Sequence, residues 1–135
     1  MTDCIFCKII AGDIPCTKVY EDDHVFAFLD IAPITKGHLL VIPKKHSINL
    51  YDIPSADLHH CIDLCQKLAI SAKKALLCDG VNLGMNNEAP AGQAVFHAHF
   101  HLIPRYSGDG LHHWPGHPDS EDVTDELAKT IRKNL

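Results

Sequence analysis

With 135 residues, 46% of them hydrophobic and 21% charged, the chain has the size and composition of one soluble domain with its own core. A formal net charge of −5 argues against nucleic acid held by bulk charge, but it leaves room for a small anion that needs only a local set of donors. No run reaches the roughly 20 apolar residues of a membrane span. The apolar stretch Ile5 to Ile10 is broken by Lys8 and has no basic leader, so it does not read as a secretory signal. The expected setting is cytoplasmic, with neither a membrane nor a nucleic acid as partner. In such a setting the six cysteines (Cys4, Cys7, Cys16, Cys61, Cys65 and Cys78) read as thiols or metal ligands rather than disulfides.

In chain order, Asp3 to Ala11 reads as a helical turn ending at Gly12-Asp13. Thr17 to Glu21 and His24 to Leu29 read as strands joined by a tight Asp22-Asp23 turn, which makes a hairpin. Pro33 to Gly37 is a loop, and His38 to Ile42 is an apolar strand stopped by Pro43. Pro54-Ser55 opens the longest helix, which runs to about Leu77 and is closed by Gly80. Leu58, Ile62, Cys65, Leu68, Ala69, Ala72 and Leu76 form its apolar stripe, and Cys61 and Cys65 read as small buried hydrophobes. Val81 to Met85 is a fourth strand, Asn86 to Gly92 a polar loop, and Val95 to Ile103 a fifth strand. After Pro104 the chain is irregular until a last helix from about Ser120 to Lys133. Hairpin order with one long helix predicts an α+β domain: a five-stranded antiparallel sheet, the long helix and a shorter C-terminal helix. Residues 1–110 would form the domain. Residues 111–135 would be an extension with a helix, packed on the same domain or on a dimer partner.

The fifth strand carries the chemistry. In the run His97-Ala98-His99-Phe100-His101-Leu102-Ile103, alternation puts three imidazoles on one face and Ala98, Phe100 and Leu102 on the other, toward a core. The outer two histidines would lie roughly 13 Å apart along a strand, too far to share one metal with the third. At least one imidazole therefore has another task, and nucleophilic or acid–base work suits it. A zinc hydrolase using His-x-His as two ligands is the rival reading, but it needs a third ligand and nearby carboxylates are scarce.

The run fits the signature His-φ-His-φ-His-φ-φ, with φ apolar, and so resembles the histidine triad family. The resemblance extends to Asp3-Cys4-Ile5-Phe6-Cys7-Lys8-Ile9-Ile10, Ile14-Pro15, Tyr20-Glu21-Asp22-Asp23, Phe28-Leu29-Asp30-Ile31-Ala32-Pro33, Gly37 to His46 and Gly92-Gln93. These segments look like the Hint branch and its bacterial relatives, over about residues 3 to 106.

What the resemblance implies is a nucleotide-binding hydrolase that attacks an α-phosphate through a nucleotidyl-histidine intermediate. His99 would be the nucleophile and His101 the imidazole beside the phosphate. Asp30 would accept from the ribose hydroxyls, and Asn86 and Gln93 would be polar groups facing the nucleotide. Ile5, Phe6, Ile9, Phe28, Leu29 and Ile31 would surround the base. Relatives with the cysteine pair place two histidines beside it, which implies a structural zinc on Cys4, Cys7, His46 and His97. The implied substrate is a purine nucleoside phosphoramidate of adenosine type, and the implied assembly a homodimer. Hint-branch enzymes commonly carry serine after the glutamine. Ala94 stands there in this chain, which keeps dinucleoside polyphosphates open as substrates. A non-catalytic nucleotide-binding module on the same fold is the other alternative.

Overall fold

The hairpin and the apolar strands read from the sequence pair into one sheet. The computed structural model describes residues 3–118 and 120–135. Helix α1 spans Ile5–Ala11, followed by strands β1 (Lys18–Glu21), β2 (Val25–Leu29) and β3 (Leu39–Pro43), helix α2 (Ser55–Leu76) and strand β4 (Gly80–Gly84). A short 3-10 turn (Ala89–Ala91), strand β5 (Phe100–Arg105) and helix α3 (Asp125–Arg132) complete the order. The five strands form one sheet in the order β1-β2-β3-β5-β4. Every neighbouring pair is antiparallel, so the architecture is α+β.

The two faces of the sheet serve different purposes. Val25, Ala27, Leu39, Val41, Phe100 and Leu102 pack against Cys61, Leu64, Cys65 and Ala72 of α2. Phe26, Phe28, Leu40 and Ile42 on the opposite face pack against Phe6 and Ile9 of α1. β2 and β3 are therefore covered on both sides, which is why their sequences are continuous apolar runs. Since α1 is only seven residues long, it covers part of its face and leaves β5 and β4 uncovered by helix.

Several expectations need correction. The fifth strand begins at Phe100, not Val95, because the preceding residues bond elsewhere: Ala98 N–H donates to the Ser47 carbonyl at 2.7 Å. It also runs through Pro104 to Arg105. Proline is tolerated there because β3 begins only at Leu39, opposite Leu102, so Pro104 has no β3 partner, and Thr35 Oγ1 from the preceding loop donates to the Pro104 carbonyl. On α2, Ile62 faces solvent, while Cys61 and Leu64 are buried in its place. Burial pushes the thiols of Cys61 and Cys65 up to about 12, as expected of inert core groups. The helix ends at Leu77 in the left-handed region (φ 52°), and Gly80 opens β4 instead of closing the helix. Lys73 Nζ then donates to the carbonyls of Cys78 and Asp79 beyond that end. The last helix starts at Asp125, with Thr124 as its N-cap, and none of its residues is buried within the chain.

Gly37 sits where the loop before β3 meets α2 and β5. Its φ is +91°, and a Cβ there would run into the Leu76 side chain and come within 3.2 Å of Pro104. Gly37→Ala should therefore cost about 1–3 kcal/mol in urea unfolding. An unchanged midpoint would mean that this approach is not close in solution.

Candidate active site and metal centre

The alternating histidines reach their places by different backbone routes. His97 is fully buried, its Nε2 lying 2.8 Å from the Pro43 carbonyl. A carbonyl only accepts, so Nε2 carries the proton and Nδ1 keeps its lone pair. That Nδ1 lies 3.4 Å from Cys4 Sγ and 3.5 Å from Cys7 Sγ, and His46 Nδ1 lies 3.4 Å from Cys7 Sγ. The ligand atoms of Cys4, Cys7, His46 and His97 all fall within 4.8 Å of one another. Tetrahedral zinc, with bonds of about 2.3 Å to sulfur and about 2.0–2.1 Å to nitrogen, gives sulfur–nitrogen edges of about 3.5 Å. The four residues therefore fit a closed metal site. The Cys7 N–H donates to Cys4 Sγ at 3.4 Å, an outer-sphere bond that suits a thiolate.

His99 is turned the other way. Its Nδ1 donates to the His97 carbonyl at 2.6 Å, which leaves Nε2 with the free lone pair. Phe6 packs against it in a T-shaped contact, with ring centroids 5.2 Å apart and planes at 88°. The same Phe6 ring meets His97 and Phe28, so α1 braces the metal site and the nucleophile candidate together. Burial holds the His99 pKa below the ordinary imidazole value, which keeps the ring neutral near pH 7.

His101 lies in β5 opposite Leu40, on the α1 side of the sheet. Its Nδ1 is 2.9 Å from Nε2 of His38, a buried residue to which sequence reasoning assigned no chemistry. His38 Nδ1 accepts the Ile34 N–H at 3.1 Å, so its Nε2 carries the proton and donates to His101. His101 is thereby left with Nε2–H as its free donor. Asp30 completes the group, with Oδ2 3.7 Å from His38 Nε2 and Oδ1 accepting the Ala32 N–H at 2.9 Å. The signal that could have exposed His38 was a histidine opening a strand whose every other residue is buried and apolar.

The remaining expected site residues divide. Phe6, Ile9 and Phe28 come together in the α1-side core, whereas Leu29 packs with the α2-side core and so lies on the wrong face to line a pocket with them. Ile5 is half-exposed and Ile31 is 94% exposed, leaving apolar surface beside Asp30. Gln93 is buried and its amide is spent inward: Nε2 donates to the carbonyls of Ile48 and Val95, and Oε1 accepts from Glu88 N–H and Asn49. It braces the loop and does not offer a free donor to a phosphate. Glu88 needs that brace. Its φ of 71° and ψ of 158° lie in a region nearly reserved for glycine, at a cost of about 1–3 kcal/mol. Asn86 Nδ2 reaches the carbonyl of Gly92, whose own φ is +94°.

A family model described as HIT domain matches residues 11–108. The chain belongs to the HIT family. It is 47% identical to "Protein hit" of Bacillus subtilis, over 98% of this chain and 94% of that one. It is 40% identical to "Adenosine 5'-monophosphoramidase hnt1" of Schizosaccharomyces pombe, over 98% of each. A crystal structure of a HIT-family member from B. subtilis superposes with a TM-score of 0.90 at 44% identity, covering 98% and 97% of the two chains. A zinc-bound histidine triad family protein from Mycobacterium smegmatis gives 0.79 at 38% identity, covering 98% and 92%. A HIT-family member named as an adenosine 5'-monophosphoramidase is thus among its full-length relatives. Among the described residues no helix is long and apolar enough to cross a membrane.

The buried imidazoles set a pH dependence. Burial, then the neighbouring rings of His99 and His38, push the His101 pKa down to about 4, while the unfolded side chain titrates near 6.5. Between these values the unfolded chain binds more protons than the folded one. The stability tied to a neutral His101 is therefore complete above about pH 6.5 and is lost as the pH falls toward 4. Urea midpoints should drop from pH 7.5 to pH 5, and His101→Asn should make that drop smaller. An equal drop in the variant would remove His101 as a source.

Proposed function

We propose that the protein is a nucleotidyl hydrolase that cleaves adenosine-type nucleoside phosphoramidates through a covalent intermediate on His99. The observation that carries this reading is the 2.6 Å bond from His99 Nδ1 to the His97 carbonyl, which leaves Nε2 as a neutral lone pair in a buried site. Nε2 forms a bond to the α-phosphorus, and the bond to the leaving nitrogen breaks. The electron pair stays on that nitrogen, which takes up a proton. Water then attacks phosphorus, the P–Nε2 bond returns its electrons to His99, the nucleoside monophosphate departs, and the water's proton is released. His101 Nε2–H is the donor placed for charge building on the phosphate oxygens, and His38 behind it fixes the tautomer that makes it a donor.

Asp30 is assigned to the ribose hydroxyls through Oδ2, since Oδ1 is held by the Ala32 N–H. Ile5 and Ile31 give the base exposed apolar surface over Phe6, Ile9 and Phe28. Asn86 is kept as a polar group at the edge of the site, and Gln93 acts by holding the 88–93 loop. Dinucleoside polyphosphate hydrolysis is the second reading, favoured by Ala94, which offers no hydroxyl to a departing amine. A homodimer is part of the proposal. Leu83 on the sheet-edge strand β4, with Ile62 and Ile70 on the outer side of α2, leaves apolar surface for a second copy.

Zinc is the metal proposed for Cys4, Cys7, His46 and His97. Bound there it would tie the start of α1 to the end of β3 and to the residues before β5, as a structural cross-link. Two thiolates and two imidazoles fill a tetrahedral shell, so this metal has no open position for substrate.

Adenosine 5'-phosphoramidate turnover should fall by several orders of magnitude in His99→Ala while AMP still binds, and rapid quenching of the wild type should trap a nucleotidyl group on His99. An active His99→Ala protein would contradict the assignment. Protein purified without chelator should carry about one zinc per chain, and stripping it should lower the melting temperature. Metal-free protein of undiminished stability would rule the cross-link out.

A further inference from the structure

The thiols divide by their surroundings. Cys61, Cys65 and Cys78 are buried, and burial holds the first two well above the ordinary thiol range. Cys4, Cys7 and Cys16 are only part-buried. Of these three, the fold brings Cys4 and Cys7 together. Their sulfurs belong to the cluster whose ligand atoms all lie within 4.8 Å of one another, and the Cys7 N–H donates to Cys4 Sγ at 3.4 Å. One close pair of sulfurs therefore stands within reach of reagents in solution.

The backbone between the two cysteines suits a cross-link. Lys8 N–H donates to the Cys4 carbonyl at 3.1 Å, so Cys4 already joins the first turn of α1. Residues three apart in such a turn have Cα atoms about 5 Å apart, inside the span of about 4.4–6.8 Å that a disulfide bridges. Cys61 and Cys65 are also neighbours, four apart on α2. Thiol–disulfide exchange needs a thiolate and access to it, and these two buried thiols offer neither.

A cross-link there is felt at the nucleophile candidate by two short routes. Phe6 lies between the cysteines in sequence and makes T-shaped contacts with His97, His99 and Phe28, so a shift in the first turn of α1 moves the ring that braces His99. The second route runs through His97. Its Nδ1 faces both sulfurs at 3.4 and 3.5 Å, and its own carbonyl holds His99 Nδ1 at 2.6 Å. A disulfide in place of two thiolates also takes away two of the four ligands proposed for zinc, and with them the tie from α1 to β3 and β5.

We propose that Cys4 and Cys7 are an oxidisable dithiol, closed to a disulfide by a small-molecule disulfide such as glutathione disulfide, and that closure releases the metal and lowers turnover at His99. One cysteine thiolate attacks the oxidant, forms a mixed disulfide and expels one glutathione thiolate. The other cysteine thiolate attacks the protein sulfur of that mixed disulfide and expels the second. The two cysteine sulfurs together lose two electrons, glutathione disulfide gains them, and the two expelled thiolates take protons from water. The chain keeps two imidazoles and gives up the divalent ion. A dithiol reductant reverses the exchange. The switch rests on the proposed zinc site and on the hydrolase reading.

Full-length protein purified without chelator and held in graded mixtures of glutathione and its disulfide tests this. As the mixtures become oxidising, alkylation and intact mass should show two of the six thiols lost together, mapped to Cys4 and Cys7. Over the same range a chromogenic chelator should collect about one zinc per chain, and the melting temperature should fall. Turnover of adenosine 5'-phosphoramidate should drop by about tenfold or more, the scale of losing support behind a ligand or reacting group. Dithiothreitol with added zinc should restore every reading. In Cys7→Asp, whose carboxylate can still ligate zinc, the oxidising mixtures should leave zinc and turnover in place. Turnover lost in that variant at the same mixtures as in the wild type overturns the switch. So do six alkylated thiols with zinc retained at the oxidising extreme, a glutathione adduct on Cys16 as the sole product, or a Cys4–Cys7 disulfide with full turnover. Each of these leaves the hydrolase reading standing. Reduced protein without zinc overturns the metal site and the switch together. Zinc released with the disulfide, from protein that turns over no substrate even when reduced, overturns the hydrolase reading and leaves the dithiol.

Discussion

Two backbone carbonyls decide what the histidines can do. Pro43 C=O takes the Nε2 proton of His97, and His97 C=O takes the Nδ1 proton of His99. Two identical side chains two residues apart are thus locked as opposite tautomers. One presents Nδ1 to a pair of thiols, and the other keeps Nε2 bare. Imidazole chemistry depends on which nitrogen carries the proton, and here the fold supplies that choice without any carboxylate touching either ring. His38 continues the pattern. Its Nδ1 accepts from the Ile34 backbone, so its Nε2 donates to His101 and the last free N–H of the relay emerges on His101.

The fold earns these tautomers by ending strands early. If β5 began at Val95, His97 C=O and Ala98 N–H would belong to the sheet ladder. Because it begins at Phe100, Ala98 N–H goes to Ser47 and the His97 carbonyl is free to hold His99. β3 likewise ends at Pro43, whose carbonyl is then available to His97. Helix α1 covers the α1-side face only over β2 and β3, and its Phe6 ring makes T-shaped contacts with both rings. The uncovered half of that face, over β5 and β4, is where His101 and a cavity beside it lie.

Much of this fold was legible in local pattern. Val25 to Leu29 and Leu39 to Ile42 read as buried strands because both faces are apolar, and the α2 stripe follows helical spacing. What local pattern misjudged depends on distant contacts. The alternation from Val95 to Ile103 matches a strand throughout, but the bond from Ala98 to Ser47, far away in sequence, removes its first half. Leu29 and Phe28 are neighbours in sequence, and alternation sends them to opposite cores. His38 reads as an ordinary strand opener until β3 pairs with β5 and sets it beside His101. Gln93 reads as a donor for substrate because nothing in the sequence shows that Glu88, in a backbone conformation unsuited to glutamate, already claims its carbonyl oxygen.

The central claim is the opposed tautomers of His97 and His99, and ring nitrogen shifts report tautomers directly. Long-range proton–nitrogen correlation spectra of protein labelled with ¹⁵N at histidine, at pH 7, test it without substrate. The account predicts that His97 carries its proton on Nε2 and His99 on Nδ1, with the bare Nε2 of His99 showing the shift of an unprotonated imidazole nitrogen. A His99 protonated on Nε2 would leave no lone pair for phosphorus and would contradict the account.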